Sequence, residues 1–326
     1  HPLNRRQRQM CIRDSYKSPK GGHFIYIPMK DQKKIRFAYW KYNGFESDCA
    51  GTVLMQQGHN EFIEKYFETI QELIDRKYNV VCFDWRGQGL SDRMINNVNK
   101  QYIEDLSIHV DDLVYIINRI IKKNFPGPLI GIGHSMGGHL ILLSQEKIQK
   151  EFKTIILSAP MLGFKFEPFL FFLSIIMRII GRKRNFFPFS RPNMGKETPF
   201  KLNDLTSDYG RYKRTQELVR KHPVIRLWGV TNAWVFAVKK SLSKIRKKSW
   251  LNQLDIPITI INPLNDKVVC SKKTRNLSLN ISNCSLFNIK KCEHEILMEN
   301  NTLRGEFWKI FDLSLIHISE PTRRCT

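Results

Sequence analysis

Three absences narrow the reading of this chain before any motif is considered. Its seven cysteines, Cys11, Cys49, Cys82, Cys270, Cys284, Cys292 and Cys325, include no C-x-x-C pair. An odd count without paired spacing argues against both a zinc ribbon and a disulfide framework, so a reducing, cytoplasmic setting is expected. The aromatic stretch "PFLFFLSIIMRII" at 168–180 is too short to cross a bilayer, which takes about 20 apolar residues, and Arg178 interrupts it. Acids are also scarce: 30 Asp and Glu stand against 53 Lys and Arg, a formal charge of +23. Such an excess suits nucleic acid, an anionic membrane surface or acidic substrates. Part of it follows from codon usage, because Ile, Lys, Asn and Phe are abundant together and AT-rich codons encode all four. A nucleic-acid partner is not expected, since the basic run "SLSKIRKKSW" offers only Trp250 for stacking. There is no internal repeat.

The ends read as foreign. "MCIRDS" (Met10 to Ser15) translates a sequencing-library adapter, and "LSLIHIS" (Leu313 to Ser319) translates its reverse complement. Residues 1–15 and 313–326 are therefore set aside from fold reasoning. Removing the +3 and +1 they carry leaves +19. The native N-terminus is then unseen, and a signal peptide ahead of it stays open.

What is present is enough for a large core, with 42% hydrophobic residues in a 326-residue chain. "FIYI" and "KIRFAYW" flank a polar turn and predict an opening hairpin. "GTVLMQQG" and "NVVCFD" read as strands on either side of residues 61–77, whose apolar positions recur at helical spacing. "IEDLSIHVDDLVYIINRIIKK" is a long helix, "PLIGIGH" a strand with a helix after its glycines, and "KTIILSAP" a strand closed by proline. Near-continuous apolar strands alternating with helices predict a mostly parallel sheet covered on both faces, an α/β fold. The rhythm stops after Pro160 and resumes with "IPITIIN", "SLFNI" and a last helix around 302–312. The expected organisation is a core from 16–160 and 251–312, interrupted by a helical insertion over 161–250 without clear strands. Within it, 168–180 is expected to be a buried cap helix, with an apolar lid touching lipid or lining an acyl pocket as the alternative.

The run "GIGHSMGGHL" has three readings. A dinucleotide loop requires an acid near the end of the next strand, which instead closes "ILSAP". A metal loop would use His134 and His139, but their spacing directs them apart and no carboxylate or thiolate set lies nearby in the sequence. The third reading is a nucleophile elbow, with Ser135 on a sharp strand-to-helix turn and glycine required at Gly133 and Gly137, where a side chain would collide with the turn.

A serine hydroxyl needs a base, and the base needs a carboxylate to set its tautomer. In elbow hydrolases the chain order is Ser, acid, His. Asp266 follows the strand "IPITIIN" and His294 follows "SLFNI", so both emerge at strand C-termini beside the elbow. The other histidines are poorer bases: His134 is inside the elbow, His109 within a helix, and His222 before a proline. Asp255 precedes its strand, at the wrong end of the sheet. Oxyanion donors are expected from the backbone N–H groups of Met136 and His59, with Gly58 allowing close approach.

These stretches, with "DWRGQGLSDR", "SAPMLG", "LTSDYGRYKR" and "HEILMEN", resemble the lysophospholipase and monoacylglycerol lipase branch of the α/β-hydrolase superfamily, most closely bacterial lysophospholipase L2-like proteins. The resemblance spans about 55 to 300. It implies a serine carboxylic ester hydrolase acting on a lipid-like ester, with no cofactor and no metal, and with the insertion as a lid. Monoacylglycerol lipases typically carry His-Gly at the oxyanion turn, where this chain has Gln57-Gly58; that favours lysophospholipids, with monoacylglycerol lipase, general carboxylesterase and peptidase activity as alternatives. Asp84 and Arg86 are expected to brace loops. Lys239, Lys240, Lys244, Arg246, Lys247 and Lys248 are candidates for peripheral contact with an anionic inner-membrane surface.

Overall fold

The computed structural model describes residues 17–125, 127–190 and 197–319. The expected foreign segment 1–15 lies outside them, as does the end of the C-terminal one. Eight strands form one sheet: β1 (His23–Pro28), β2 (Lys34–Trp40), β3 (Gly51–Gln56), β4 (Tyr78–Phe83), β6 (Leu129–His134), β7 (Thr154–Ser158), β9 (Ile258–Pro263) and β10 (Cys284–Ile289). Their order is β1-β2-β4-β3-β6-β7-β9-β10. The β1–β2 hairpin and the β2–β4 pair are antiparallel, and every later pair is parallel. β3, β4, β6, β7 and β9 are buried along their whole length, which is why they read as apolar runs and not as alternating patterns.

The pleat still sorts their side chains between two layers. In β4, Val81 and Phe83 join the core on one face, while Val80 and Cys82 join the other. The first face is covered by α2 (Ser107–Ile116), α3 (Met136–Ile148) and, from the insertion, α6 (Asn232–Ile245). The second is covered by α1 (Phe67–Asp75) and α8 (Asn301–Ser319). α7 (Ser271–Ser278) lies against β9 and β10 at the sheet edge.

Four sequence expectations need correction. The helix expected over 61–77 begins only at Phe67. Phe62 is extended, and Ile63–Tyr66 form a 3₁₀ turn whose first N–H donates to Asp84 Oδ1 at 3.0 Å, a contact that no local pattern reveals. The insertion is helical, with α4 (Glu167–Ile179), α5 (Tyr209–Lys221) and α6, but it also holds a two-residue strand, β8 (Gly229–Val230). β8 pairs in parallel with β5 (Lys100–Gln101) and so ties the insertion to the core. The last helix does not stop near residue 312 but runs to Ser319, leaving Leu313 and Ile316 exposed.

The fourth correction concerns α4. Its only buried residues are Glu167 and Ser174, so it is not a buried cap helix. Phe169, Phe172 and Ile179 are exposed, as are the flanking Phe166, Ile180 and Phe189. The helix is fastened by the half-buried Leu170, Phe171 and Leu173, which pack on the core, and by its polar end. Glu167 pairs with Arg246 at 2.8 Å and Lys273 at 2.6 Å, and accepts the Phe164 N–H.

Candidate active site

β6 ends at His134 and α3 begins at Met136, so Ser135 alone makes the turn. Its backbone sits at φ 50°, ψ −115°, a conformation that side-chain-bearing residues rarely adopt. Three hydrogen bonds hold it there. The Ser135 N–H donates to the Ser158 carbonyl at 3.0 Å, and the Ser135 carbonyl accepts from His139 at 3.0 Å and Met161 at 2.9 Å. The glycine requirement is steric: a Cβ on Gly133 would stand 2.6 Å from Gly138 Cα, and one on Gly137 would stand 2.4 Å from the Gln57 carbonyl oxygen.

Asp266 and His294 arrive from the turns after β9 and β10. Asp266 Oδ1 accepts the N–H groups of Val268 and Val269 at 2.7 and 2.9 Å, which fixes the carboxylate. Its Oδ2 lies 2.7 Å from His294 Nδ1, and His294 Nε2 lies 3.0 Å from Ser135 Oγ. A carboxylate only accepts, so Nδ1 carries the proton; Nε2 is then the free lone pair, and the Ser135 hydroxyl donates to it. All three side chains are buried. The structure thus brings together residues spread over 159 positions. Asp255 stands apart, on the surface beside Gln149.

The turn expected to supply oxyanion donors, here called the oxyanion turn, approaches from β3. A Cβ on Gly58 would meet Ser135 Cβ at 3.1 Å and His134 Cδ2 at 3.0 Å, so the backbone passes directly beside the serine. Met136 opens α3, and its N–H is among the first-turn donors that no helical carbonyl reaches. His59 is partly buried, with its Nε2 shielded and its ring 5.0 Å from Trp234 of α6, and desolvation of the ring brings its pKa down to about 4, leaving it neutral at pH 7. Its side chain therefore docks the turn on the insertion. Gln57 lies below, donating to Asp84 Oδ1 at 3.4 Å. Asp84 and Arg86 are structural in their contacts. Asp84 pairs with Arg36 and accepts the Leu90 and Ile63 N–H groups, while Arg86 pairs with Asp112 and Asp31.

A second cluster backs the site. Lys65 Nζ lies 2.7 Å from Glu61 and 2.5 Å from Glu295; Tyr66 donates to Glu61 at 2.8 Å, and the Gly58 N–H donates to the same carboxylate. One ammonium thus links the oxyanion turn to the loop of His294. Burial pushes the Glu61 carboxyl up, but Lys65 and the nearby His134 outweigh it and bring it to about 2. Glu61, Glu295 and His134 approach one another as metal ligands do, the fold bringing in two carboxylates that lie far from His134 in the sequence. The positive charge between the two carboxylates is that of Lys65. His134 Nδ1 donates to the Ser158 carbonyl, 3.2 Å away, and burial lowers its pKa to about 4. The Glu61/Lys65 pair is visible in the sequence as an i,i+4 spacing; its third member is 230 positions away.

Over the serine lies a cavity of about 230 Å³ that holds Ser135, His294, His59 and Glu295, closed from the insertion by Gln216, Val219 and Arg226. Two larger clefts, of about 610 and 600 Å³, contain none of Ser135, Asp266 or His294. Three of the six cations in the basic run are paired: Lys240 with Asp105, Lys244 with Glu146, and Arg246 with Glu167.

Comparison with known proteins gives a consistent set. A family model described as serine aminopeptidase, S33 (Hydrolase_4) matches residues 47–301. The probable lysophospholipase L2 of Haemophilus influenzae is 26% identical over 283 residues, covering 86% of this chain and 88% of that protein. Lysophospholipase L2 of Escherichia coli K12 is 28% identical over 188 residues, 56% of this chain and 54% of its own length. Among solved structures, a soluble variant of monoglyceride lipase from Saccharomyces cerevisiae, in complex with a substrate analog, superposes with a TM-score of 0.70 at 19% identity. That match covers 92% of this chain and 98% of the yeast chain.

Proposed function

The chain belongs to the serine aminopeptidase S33 (Hydrolase_4) family of α/β-hydrolases and is a serine hydrolase, and from that premise we propose that it releases fatty acid from lysophospholipids. The observation that carries the chemistry is the unbroken chain from Asp266 through His294 to Ser135, at 2.7 and 3.0 Å. Ser135 Oγ attacks the ester carbonyl while His294 Nε2 takes its proton, and Asp266 stabilises the imidazolium. The N–H groups of His59 and Met136 hold the oxyanion. His294 protonates the departing alcohol, then takes a proton from a water whose oxygen attacks the acyl carbonyl, and returns it to Ser135 Oγ as the fatty acid leaves.

The substrate reading is supported by the relatives named lysophospholipase L2, by Gln57 at the oxyanion turn and by the basic charge. The exposed phenylalanines of α4 support a lid that meets lipid, so the proposed place of action is the cytoplasmic side of an anionic membrane. No helix among the described residues is long and apolar enough to cross that membrane.

The test is fatty-acid release from lysophosphatidylcholine and monoacylglycerol, side by side, with Ser135→Ala as the blank. The expected result is preference for the lysophospholipid, with the variant down by at least about 10⁴-fold. Preference for the glyceride would keep the triad and move the function to monoacylglycerol lipase; cleavage of neither would overturn the lipid reading.

A further inference from the structure

The cavity over Ser135 contains one cation without a carboxylate partner. Glu61 and Glu295 both pair with Lys65. Arg226, from the insertion, lines the same cavity, and among the described residues its guanidinium makes no ion pair with a carboxylate. Its one hydrogen bond runs from Nη1 to Gln216 Oε1 at 3.0 Å. Tyr212, Glu295 and Glu197 act on it only through space, and burial holds its pKa below the usual arginine value.

The other shielded arginines are answered differently. Arg36, Arg86, Arg211, Arg246 and Arg304 each pair with a carboxylate. Arg93, which lacks one, donates to the carbonyls of Ser91, Val98 and Val224. Arg226 is half-buried at the cavity wall, its charge met only by the neutral Gln216 amide, so it is poised for an anion brought from outside.

Its position is defined. The adjacent Leu227 exchanges two hydrogen bonds with Asn60, its N–H to Oδ1 at 2.6 Å and its carbonyl from Nδ2 at 3.0 Å. Asn60 is next to His59, so Arg226 is clamped beside the oxyanion turn. The cavity, about 230 Å³, is small for a long acyl chain, and Asn60, Gln216 and Arg226 give its lining polar groups that suit a leaving group. In a lysophospholipid the glycerol backbone alone separates the ester from an anionic phosphodiester.

We propose that Arg226 is the phosphate-binding residue of this site, its planar guanidinium engaging the phosphodiester oxygens of the substrate whose ester carbonyl lies at Ser135. The assignment rests on the lipid-ester reading above and deepens it. A neutral glyceride leaves this cation unmatched, and the site discriminates against it on that account.

The experiment measures kcat and KM for lysophosphatidylcholine and for monoacylglycerol of the same chain length, in the wild type, Arg226→Gln and Arg226→Lys. In parallel, glycerophosphocholine and inorganic phosphate are titrated as inhibitors of a soluble p-nitrophenyl ester. In Arg226→Gln, the lysophospholipid-to-glyceride ratio of kcat/KM is expected to fall at least about tenfold, chiefly through KM, and Arg226→Lys to recover part of it. Inhibition by glycerophosphocholine weakens in parallel. An unchanged ratio, or equal losses on both lipids, overturns the proposal. Inorganic phosphate competing as well as glycerophosphocholine overturns the head-group assignment in favour of a free-phosphate site. If the wild type cleaves the p-nitrophenyl ester but neither lipid, the lipid reading fails by itself. The inhibition arm then still decides Arg226: loss of glycerophosphocholine inhibition in Arg226→Gln supports it, and equal inhibition overturns it.

Discussion

α3 and α4 are both 13 residues long, yet their surroundings are opposite. Eleven residues of α3 are buried, including the polar His139, Ser144 and Gln145. α4 carries three phenylalanines and buries only Glu167 and Ser174. Apolar composition states what a helix is suited to touch; position decides whether that partner lies within the chain. α3 follows the elbow in the middle of the parallel sheet, enclosed by neighbours in sequence and space. α4 lies in the insertion, held at its polar end and packed on α6, with its aromatic side facing outward.

The largest expected effect breaks the contrast directly. Leu140→Ala in α3 should cost roughly 2–5 kcal/mol of stability, because the cavity left in a closed core cannot collapse fully. Phe172→Ala in α4, a larger truncation, should stay within about 0.5 kcal/mol. Chemical denaturation of both variants checks this, and a similar loss in the two would mean that α4 is covered in solution.

Next comes pH. Burial lowers the pKa of His139 to about 3, against 6.5 for the ordinary side chain. Between those values the unfolded chain binds a proton that the folded one does not, so stability rises with pH. The contribution is full above pH 6.5 and is lost on acidification toward pH 3, reaching roughly 2 kcal/mol per such histidine at pH 5. His139→Asn should flatten the stability–pH slope by about one proton in that window, measured by denaturation from pH 7 to pH 5. An unchanged slope would show that His139 is protonated without penalty. α4 contains no histidine and offers no such term.

The smallest effect sharpens the outward side of the comparison. Replacing Phe169 or Phe172 with Ser should weaken sedimentation with anionic vesicles at low salt by about 1 kcal/mol each, about fivefold. If neither change alters vesicle binding, the exposed face serves some partner other than lipid.

Much of the fold and of the candidate site was legible from short-range patterns. Apolar runs marked the buried parallel strands because both faces of the sheet are covered. Gly133 and Gly137 marked the elbow because backbone atoms 2.4–2.9 Å from a hypothetical Cβ admit no side chain. Chain order and their places after strands single out Ser135, Asp266 and His294, which the fold brings into contact. The start of α1 was misread because Asp84, from another strand, holds Ile63 in place. α4 was misread because periodicity cannot distinguish an inward from an outward face when polar residues are few. Arg226 was not found at all, since an unpaired arginine looks like any other until its neighbours are known.

The sequence by itself determined the strand and helix types, the doubly covered sheet and the candidate trio Ser135, Asp266 and His294. Those follow from backbone sterics, hydrophobic period and chain order, which act over a few residues or depend only on connectivity. The tertiary structure alone decided which carboxylates answer which cations, that Lys65 joins the oxyanion turn to the base loop, and that Arg226 faces the cavity without one. Such pairings depend on segments up to 230 residues apart meeting in a low-dielectric interior, where an ångström of separation decides whether a charge is matched.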